Sequence, residues 1–117
     1  MKTLFIINDA PYGTEKAYNA LRLAMALQKE HPQIEVLIFL MADAVTCALS
    51  QQKTPQGYYN VERMIKAVIN KGGQIKICGS CCEARGLSQL ALIDGTEIST
   101  MSQLAQWVVE TDKVLTF

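Results

Sequence analysis

Three of the four cysteines of the chain lie within five residues of one another, in the segment Cys78-Gly79-Ser80-Cys81-Cys82. A cysteine reacts as its thiolate, which forms most readily beside backbone N–H groups or positive side chains. Cys78 ends a predicted strand, and Gly79 allows the chain to turn sharply into a helix. If that helix begins at Ser80 or Cys81, its free N–H groups lie against the Cys78 sulfur and favour the thiolate. The segment therefore predicts a nucleophilic cysteine at residue 78.

A positive side chain follows these cysteines at helical spacing. Arg85 comes four residues after Cys81, so both lie on one face of a helix and the guanidinium can stabilise a nearby thiolate. Glu83 has the opposite charge, but its spacing directs it to another face. We therefore predict Cys78, Cys81 and Arg85 as the catalytic residues.

Core packing and metal binding are the alternative roles for a cysteine. Cysteine is among the residue types most often buried, and Cys47, alone in an apolar stretch, favours ordinary packing. A structural zinc site needs four ligands, usually in two pairs. Only Cys47 and His31 could complete such a set with the cluster, and neither forms a second pair. We therefore predict no metal.

The Cys78-x-x-Cys81 spacing is also that of thioredoxin-type dithiols. In the thioredoxin fold the motif follows an early strand and faces a proline in a later loop, whereas all three prolines here precede residue 78. We do not expect that fold, but a Cys78–Cys81 disulfide stays open. No G-x-G-x-x-G or P-loop motif occurs, and Gly13-Thr14 is typical of a turn and helix cap, so we predict no cofactor.

Hydrophobic periodicity predicts the elements that must position these cysteines. Apolar runs bounded by turn residues predict five strands, at residues 4–8, 34–41, 74–78, 97–99 and 113–117. Because helical patterns separate the strands, we expect a largely parallel sheet with helices on both faces, which is an α/β fold. The length predicts a single domain over residues 1–117.

The helices are predicted from their caps and apolar stripes. Their predicted caps are Thr14, Asp43, Asn60 and Thr100. The first helix extends to about residue 30, the second covers 44–49, and the third stops at Gly72. The fourth opens with a Thr100–Gln103 capping box. Its predicted buried stripe consists of Met101, Leu104, Ala105 and Val108.

The predicted sheet also places a pocket. In parallel α/β sheets, ligands bind at the carboxyl ends of the strands. Three predicted segments meet at this edge, residues 8–13, 41–46 and 78–85. We expect the pocket rim to consist of Asn8, Asp9, Asp43, Gly79 and Cys82.

Composition excludes several classes of function. The chain has 11 basic and 11 acidic residues, and this even balance argues against nucleic acid or an anionic membrane as partner. No apolar run approaches the length of a membrane span, and the N-terminus lacks a signal-peptide pattern, so we expect a cytoplasmic protein. With only 19% charged residues, the chain favours a homo-oligomer. Tyr58, Tyr59 and Trp107 suit either the core or a subunit contact.

Five motifs in order give the chain a resemblance to a known family. They are Asn-Asp-Ala-Pro-Tyr-Gly at 8–13, Leu-Arg-Leu-Ala at 21–24, Leu-Met-Ala-Asp-Ala-Val at 40–45, Cys-x-x-Cys-x-x-x-Arg-Gly at 78–86 and Asp-Lys-Val-Leu-Thr-Phe at 112–117. Together they resemble the DsrE/DsrF-like family of small sulfur-relay proteins, and within it the YchN-like branch.

This resemblance implies a three-layer α/β/α sandwich with a largely parallel five-stranded sheet. It also implies a homo-oligomer, a trimer or hexamer, that works with sulfur donor and acceptor proteins. In the relay members, a cysteine at the end of the third strand accepts a persulfide sulfur, and Cys78 stands at that position. Cys81 matches the YchN-like branch, whereas Cys82 matches neither pattern and its role stays open.

The leading functional hypothesis is therefore a sulfur carrier or sulfurtransferase subunit that is loaded on Cys78. Two alternatives remain. One is a non-catalytic oligomeric binding protein in which the cysteines only line a wall. The other is a redox switch formed by Cys78 and Cys81.

Overall fold

The computed structural model describes all of residues 1–117. Its five strands are β1 (Lys2–Ile7), β2 (Glu35–Leu40), β3 (Gln74–Cys78), β4 (Thr96–Ser99) and β5 (Lys113–Thr116). They form one sheet in the order β4-β3-β2-β1-β5, and every neighbouring pair is parallel. The predicted α/β class and parallel sheet are confirmed.

Helices cover both faces of this sheet. The helices are α1 (Lys16–Glu30), α2 (Val61–Asn70), α3 (Gly79–Ala84) and α4 (Met101–Glu110), and a 3₁₀ helix (Ala42–Ala48) follows β2. Consecutive strand residues point to opposite faces. All side chains from Val36 to Leu40 are buried, so both faces of β2 are covered. This is the expected three-layer sandwich, and none of its helices has the length and apolar character needed to cross a bilayer.

The predicted buried stripe of α4 is wrong in part. Leu104 is buried as expected, but Met101, Ala105 and Val108 are exposed and Trp107 is buried instead. The Trp107 ring meets Phe39 of β2 edge to face, with 6.2 Å between ring centroids. Several registers are compatible with this apolar helix sequence, and packing of the largest ring decides which side faces the sheet.

Two predicted helix caps are also corrected. The second helix is a 3₁₀ helix that begins at Ala42 with Met41 as its N-cap, so Asp43 lies inside the first turn and caps nothing. Helix α1 begins after Glu15 rather than after Thr14. The Thr14 hydroxyl accepts a long hydrogen bond from the Lys16 N–H and donates to the Asp9 carboxylate instead.

The other two caps are present. The Asn60 side chain accepts from the Arg63 N–H at 3.1 Å, and the Thr100 hydroxyl accepts from the Gln103 N–H at 3.3 Å. The reciprocal half of the capping box is not formed, because the Gln103 side chain accepts from Ser99 and Lys76 instead. These contacts fix β3 and α4 relative to one another beside the cysteine segment.

Candidate functional site

The cysteine segment lies at the carboxyl edge of the sheet. Cys78 is the last residue of β3, opposite Ser99 of β4, and its side chain is 6% exposed. The adjacent β2 ends at Leu40, and the chain then enters the 3₁₀ helix at Ala42. Because neighbouring parallel strands end at the same edge, the start of the 3₁₀ helix lies beside the cysteine turn.

Cys78 is the N-cap residue of the six-residue helix α3, and its sulfur accepts hydrogen bonds from that helix. The Cys81 N–H donates to Cys78 Sγ at 3.4 Å, and the Ser80 hydroxyl lies 3.3 Å from the same sulfur. Burial by itself would raise the pKa of the Cys78 thiol. Hydrogen bonds from the side chains and backbone of Cys81 and Ser80 outweigh burial and bring that pKa below its ordinary value.

Cys81 is the half-buried neighbour of this sulfur. Its own Sγ accepts a hydrogen bond from the Ala42 N–H at 3.3 Å. Ala42 has a φ of 49°, in the left-handed region that residues other than glycine rarely adopt. Burial and the hydrogen bond with Cys78 raise the pKa of Cys81, so Cys81 holds the proton while Cys78 is the thiolate.

Arg85 lies close to the cysteines but does not point at a sulfur. Its Nε and Nη2 both lie 2.9 Å from Asp43 Oδ1, and its Nη1 donates to the Cys81 carbonyl at 3.1 Å. The guanidinium therefore ties the 3₁₀ helix to the end of α3. Of the predicted catalytic residues, Cys78 and Cys81 are in contact, and Arg85 holds the turn that contains them.

Two of the predicted rim residues adjoin the cysteines. A side chain on Gly79 would place its Cβ 3.1 Å from Ile98 and 3.2 Å from the Ser99 carbonyl, so any larger residue would require these neighbours to shift by a few tenths of an ångström. Cys82 is 1% exposed, and it lines a cavity of about 230 Å³ together with Gly79, Leu87 and Ile98. Burial raises the pKa of Cys82, and its proximity to the Cys78 and Cys81 sulfurs raises it further.

Of the three other rim residues, Asp43 pairs with Arg85, whereas Asn8 and Asp9 lie in the loop after β1 and their side chains make no hydrogen bond to the cysteine turn. The Asn8 side chain donates to the Phe117 carbonyl at 3.3 Å. The Asp9 carboxylate accepts from the Thr14 hydroxyl at 3.1 Å. Both residues lie on the predicted edge of the sheet, but each is engaged with its own surroundings.

Cys47 is separate from the cluster. It is completely buried on the 3₁₀ helix, and its Sγ lies 3.8 Å from the Asp9 carbonyl oxygen. Burial raises the pKa of this thiol to about 12. All four cysteines are free thiols, and no three His, Cys, Asp or Glu side chains converge in a geometry that could hold a metal ion.

Sequence reasoning missed two donors of this site. Ser80 lies within the motif, and a hydroxyl next to a cysteine is a signal that could have identified it. No feature of the sequence identifies the Ala42 N–H as a donor. Its N–H points at Cys81 because the Ala42 backbone is left-handed, and alanine does not favour that conformation.

Comparison with known proteins identifies the family. A sequence profile of the DsrE/DsrF-like family matches residues 1–117. The chain belongs to the DsrE/DsrF-like family. It is 45% identical to the protein YchN of Escherichia coli K12 over 116 residues, which cover 99% of this chain and 98% of YchN. It is 44% identical to the uncharacterised protein MJ0989 of Methanocaldococcus jannaschii over the full length of both. The resemblance to this family and its YchN-like branch is confirmed.

Solved structures show the same family fold. The crystal structure of YchN from E. coli superposes with a TM-score of 0.94 over 99% of this chain and 98% of YchN. The protein of unknown function MTH1491 from Methanobacterium thermoautotrophicum is only 12% identical, yet it superposes with a TM-score of 0.73 over 99% of this chain and 98% of its own. At that identity the second likeness concerns the fold alone.

Proposed function

We propose that the chain is a sulfur carrier, which accepts a persulfide sulfur on Cys78 and passes it to a partner protein. The DsrE/DsrF-like family is associated with sulfur relay. The observation that carries the proposal is the set of donors on the Cys78 sulfur, which lowers the pKa of a thiol that burial alone would leave protonated. A cysteine that only lined the wall of a binding pocket would not need hydrogen-bond donors to its sulfur.

The transfer consists of two exchanges that balance without any oxidant or reductant. The Cys78 thiolate attacks the outer sulfur of a donor persulfide, R–S–SH, and the donor leaves as R–S⁻. Cys78 then carries the sulfur as Cys78–S–SH. An acceptor thiolate attacks that outer sulfur in turn, takes it as a new persulfide and regenerates the Cys78 thiolate. The Ser80 hydroxyl and the Cys81 N–H stabilise the sulfur anion at both stages.

Arg85 contributes by positioning. It links Asp43 on the 3₁₀ helix to the Cys81 carbonyl on α3, and this holds α3 against the 3₁₀ helix. We assign to it the geometry of the donor set rather than contact with the sulfur.

We also propose that the chain works as a homo-oligomer, a trimer or hexamer, of single-domain subunits in the cytoplasm. Met101 and Val109 on α4 are 61% and 80% exposed, and Val114 on the edge strand β5 is 42% exposed. Apolar side chains of this kind are typical of subunit contacts. A reducing compartment keeps the relay thiols free for exchange.

A loading experiment tests the carrier function. Reduced protein is incubated with a cysteine desulfurase and cysteine, or with a small-molecule persulfide, and peptides are mapped by mass without reductant. We expect one added sulfur atom on the Cys78 peptide, no loading in Cys78→Ser, and normal loading in the matched control Cys47→Ala. Loading of Cys78→Ser at the wild-type level, or no loading from either donor, overturns the proposal.

The same spectra test a second candidate, the dithiol redox switch. The hydrogen bond from the Cys81 N–H to the Cys78 sulfur favours it, because a disulfide needs two residues that are already close together. A switch without carrier function predicts that the donor persulfide acts only as a two-electron oxidant and is reduced to a thiol and H₂S. Cys78 and Cys81 then lose two hydrogens between them, with no added sulfur at any stage.

A further inference from the structure

Cys81 has contacts that the carrier function leaves unexplained. Sulfur transfer through Cys78 needs one nucleophilic thiol, and the Cys81 backbone N–H would stabilise it whatever side chain residue 81 had. Yet the Cys81 Sγ accepts its own hydrogen bond from the Ala42 N–H at 3.3 Å, while the Cys81 N–H donates to the Cys78 sulfur at 3.4 Å. The second sulfur is therefore held in a defined place beside the first.

The donor to Cys81 depends on an unfavourable backbone conformation. Ala42 adopts a φ of 49°, and a left-handed conformation is unfavourable for a residue with a Cβ. The Asp43–Arg85 ion pair and the Arg85 hydrogen bond to the Cys81 carbonyl hold the same two segments together. Two separate contacts thus fix the 3₁₀ helix to Cys81, one at its sulfur and one at its carbonyl.

The state of Cys78 determines when Cys81 can ionise. While Cys78 is a thiolate, burial and the adjacent Cys78 sulfur raise the pKa of Cys81. Once Cys78 carries a sulfur, its inner sulfur is bonded on both sides and holds no negative charge. The Ala42 N–H then remains as a donor that favours a thiolate on Cys81. Loading of the first cysteine would therefore activate the second.

We propose that Cys81 attacks the persulfide on Cys78 and releases the carried sulfur as hydrogen sulfide. This inference rests on the proposed carrier function and adds a second fate for the carried sulfur. Cys81 Sγ forms a bond to the inner sulfur of Cys78–S–SH, and the bond to the outer sulfur breaks. The outer sulfur leaves as hydrosulfide and takes the proton of Cys81, so the products are a Cys78–Cys81 disulfide and H₂S. The Cys81 sulfur is oxidised, the released outer sulfur is reduced, and the Cys78 sulfur keeps its oxidation state.

The other cysteines are not placed for this step. Cys82 is 1% exposed and faces the cavity beside Ile98, and Cys47 faces the Asp9 carbonyl. Residues three apart at the start of a helix are neighbours, so a Cys78–Cys81 disulfide spans a distance that its geometry allows. A dithiol reductant of the thioredoxin class would return the disulfide to its two thiols.

The test follows protein that has already been loaded. Wild type, Cys81→Ser and the control Cys82→Ala are loaded with desulfurase and cysteine, desalted and incubated without reductant. Persulfide on Cys78, disulfide and free sulfide are then measured over time. We expect wild type and Cys82→Ala to release one sulfide for each disulfide formed. We expect Cys81→Ser to keep its persulfide at least tenfold longer and to release no sulfide.

The outcomes separate the two proposals. If wild type and Cys81→Ser both load and keep the persulfide equally long, the release step is wrong and the carrier function stands. If Cys82→Ala loses sulfide release as completely as Cys81→Ser, the assignment to Cys81 is wrong. If neither wild type nor Cys81→Ser loads, the carrier function fails and the release step fails with it.

Discussion

Cys78 and Cys47 are two nearly inaccessible thiols with opposite chemistry. Their side chains are 6% and 0% exposed, and both belong to segments at the carboxyl edge of the sheet. The Cys78 sulfur accepts from the Cys81 N–H and faces the Ser80 hydroxyl. The Cys47 sulfur faces the Asp9 carbonyl, which is an acceptor. The pKa of Cys78 lies below its ordinary value, whereas burial raises that of Cys47 to about 12.

This difference shows that burial does not decide whether a cysteine of this protein is a nucleophile. Burial disfavours the charged form at both sites. Only at Cys78 do hydrogen-bond donors stabilise the thiolate enough to outweigh burial. Each unit of pKa shift corresponds to about 1.4 kcal/mol of free energy between the thiol and the thiolate. The assignment of Cys78 rather than Cys47 as the nucleophile therefore depends on the positions of N–H and O–H groups around each sulfur.

The largest expected effect is on alkylation of the native protein at pH 7. A thiol with a pKa near 12 is ionised in roughly one molecule in 100,000 at this pH, whereas an ordinary thiol is ionised in a few per cent. We expect iodoacetamide to modify Cys78 about a thousandfold faster than Cys47, or more. Peptide mapping by mass gives both rates from one sample. In denaturant the two should react alike, and equal rates in the native protein would contradict the comparison.

The next largest effect concerns alkaline stability. The raised pKa of Cys47 means that the unfolded chain loses this proton near pH 9 and the folded chain only near pH 12. Between these values the folded state holds the extra proton, so this stabilisation is complete below pH 9 and is lost as the pH rises. Wild type should therefore lose about 1.4 kcal/mol per pH unit more than Cys47→Ala in this window.

Urea unfolding of both proteins from pH 8 to 11 measures this difference. The tyrosines are present in both proteins, so their titration cancels in the comparison. Parallel stability curves above pH 9 would show that Cys47 is not held protonated by burial.

The architecture around this comparison was largely predictable from the sequence. Each strand is a short apolar run bounded by Gly, Pro or polar turn residues, and runs of this kind are typical of buried strands. Alternation with helices then requires a parallel sheet, whose carboxyl edge gathers the loops. For the same reason, the placement of Cys78 at the end of β3 followed from sequence alone.

The finer geometry of the site was not predictable. Asp43 and Arg85 are 42 residues apart, and their pairing depends on how β2 and β3 lie side by side. The left-handed backbone of Ala42 is a local cost that the surrounding packing imposes. The face of α4 was likewise set by the packing of Trp107 on Phe39, which helical periodicity does not contain.

The smallest expected effect is the change in the pKa of Cys78 on removal of one donor, the Ser80 hydroxyl. A neutral hydrogen bond contributes about 1 kcal/mol, so Ser80→Ala should raise the pKa of Cys78 by somewhat less than one unit. We expect alkylation of Cys78 at pH 7 to slow about fivefold and to match wild type above pH 10. Ser102→Ala, an exposed serine on α4, is the matched control. An unchanged rate at pH 7 would remove Ser80 from the donor set.

The central claim is that hydrogen-bond donors make Cys78 the nucleophile of this protein despite its burial. The most direct measurement is the alkylation rate of Cys78 in the intact wild-type chain from pH 5 to 10, followed on its own peptide by mass. We predict a single ionisation with a midpoint below 9, the ordinary value for a cysteine thiol. A midpoint at or above that value would mean that burial outweighs the donors, and the assignment of Cys78 as the sulfur-accepting thiolate would be contradicted.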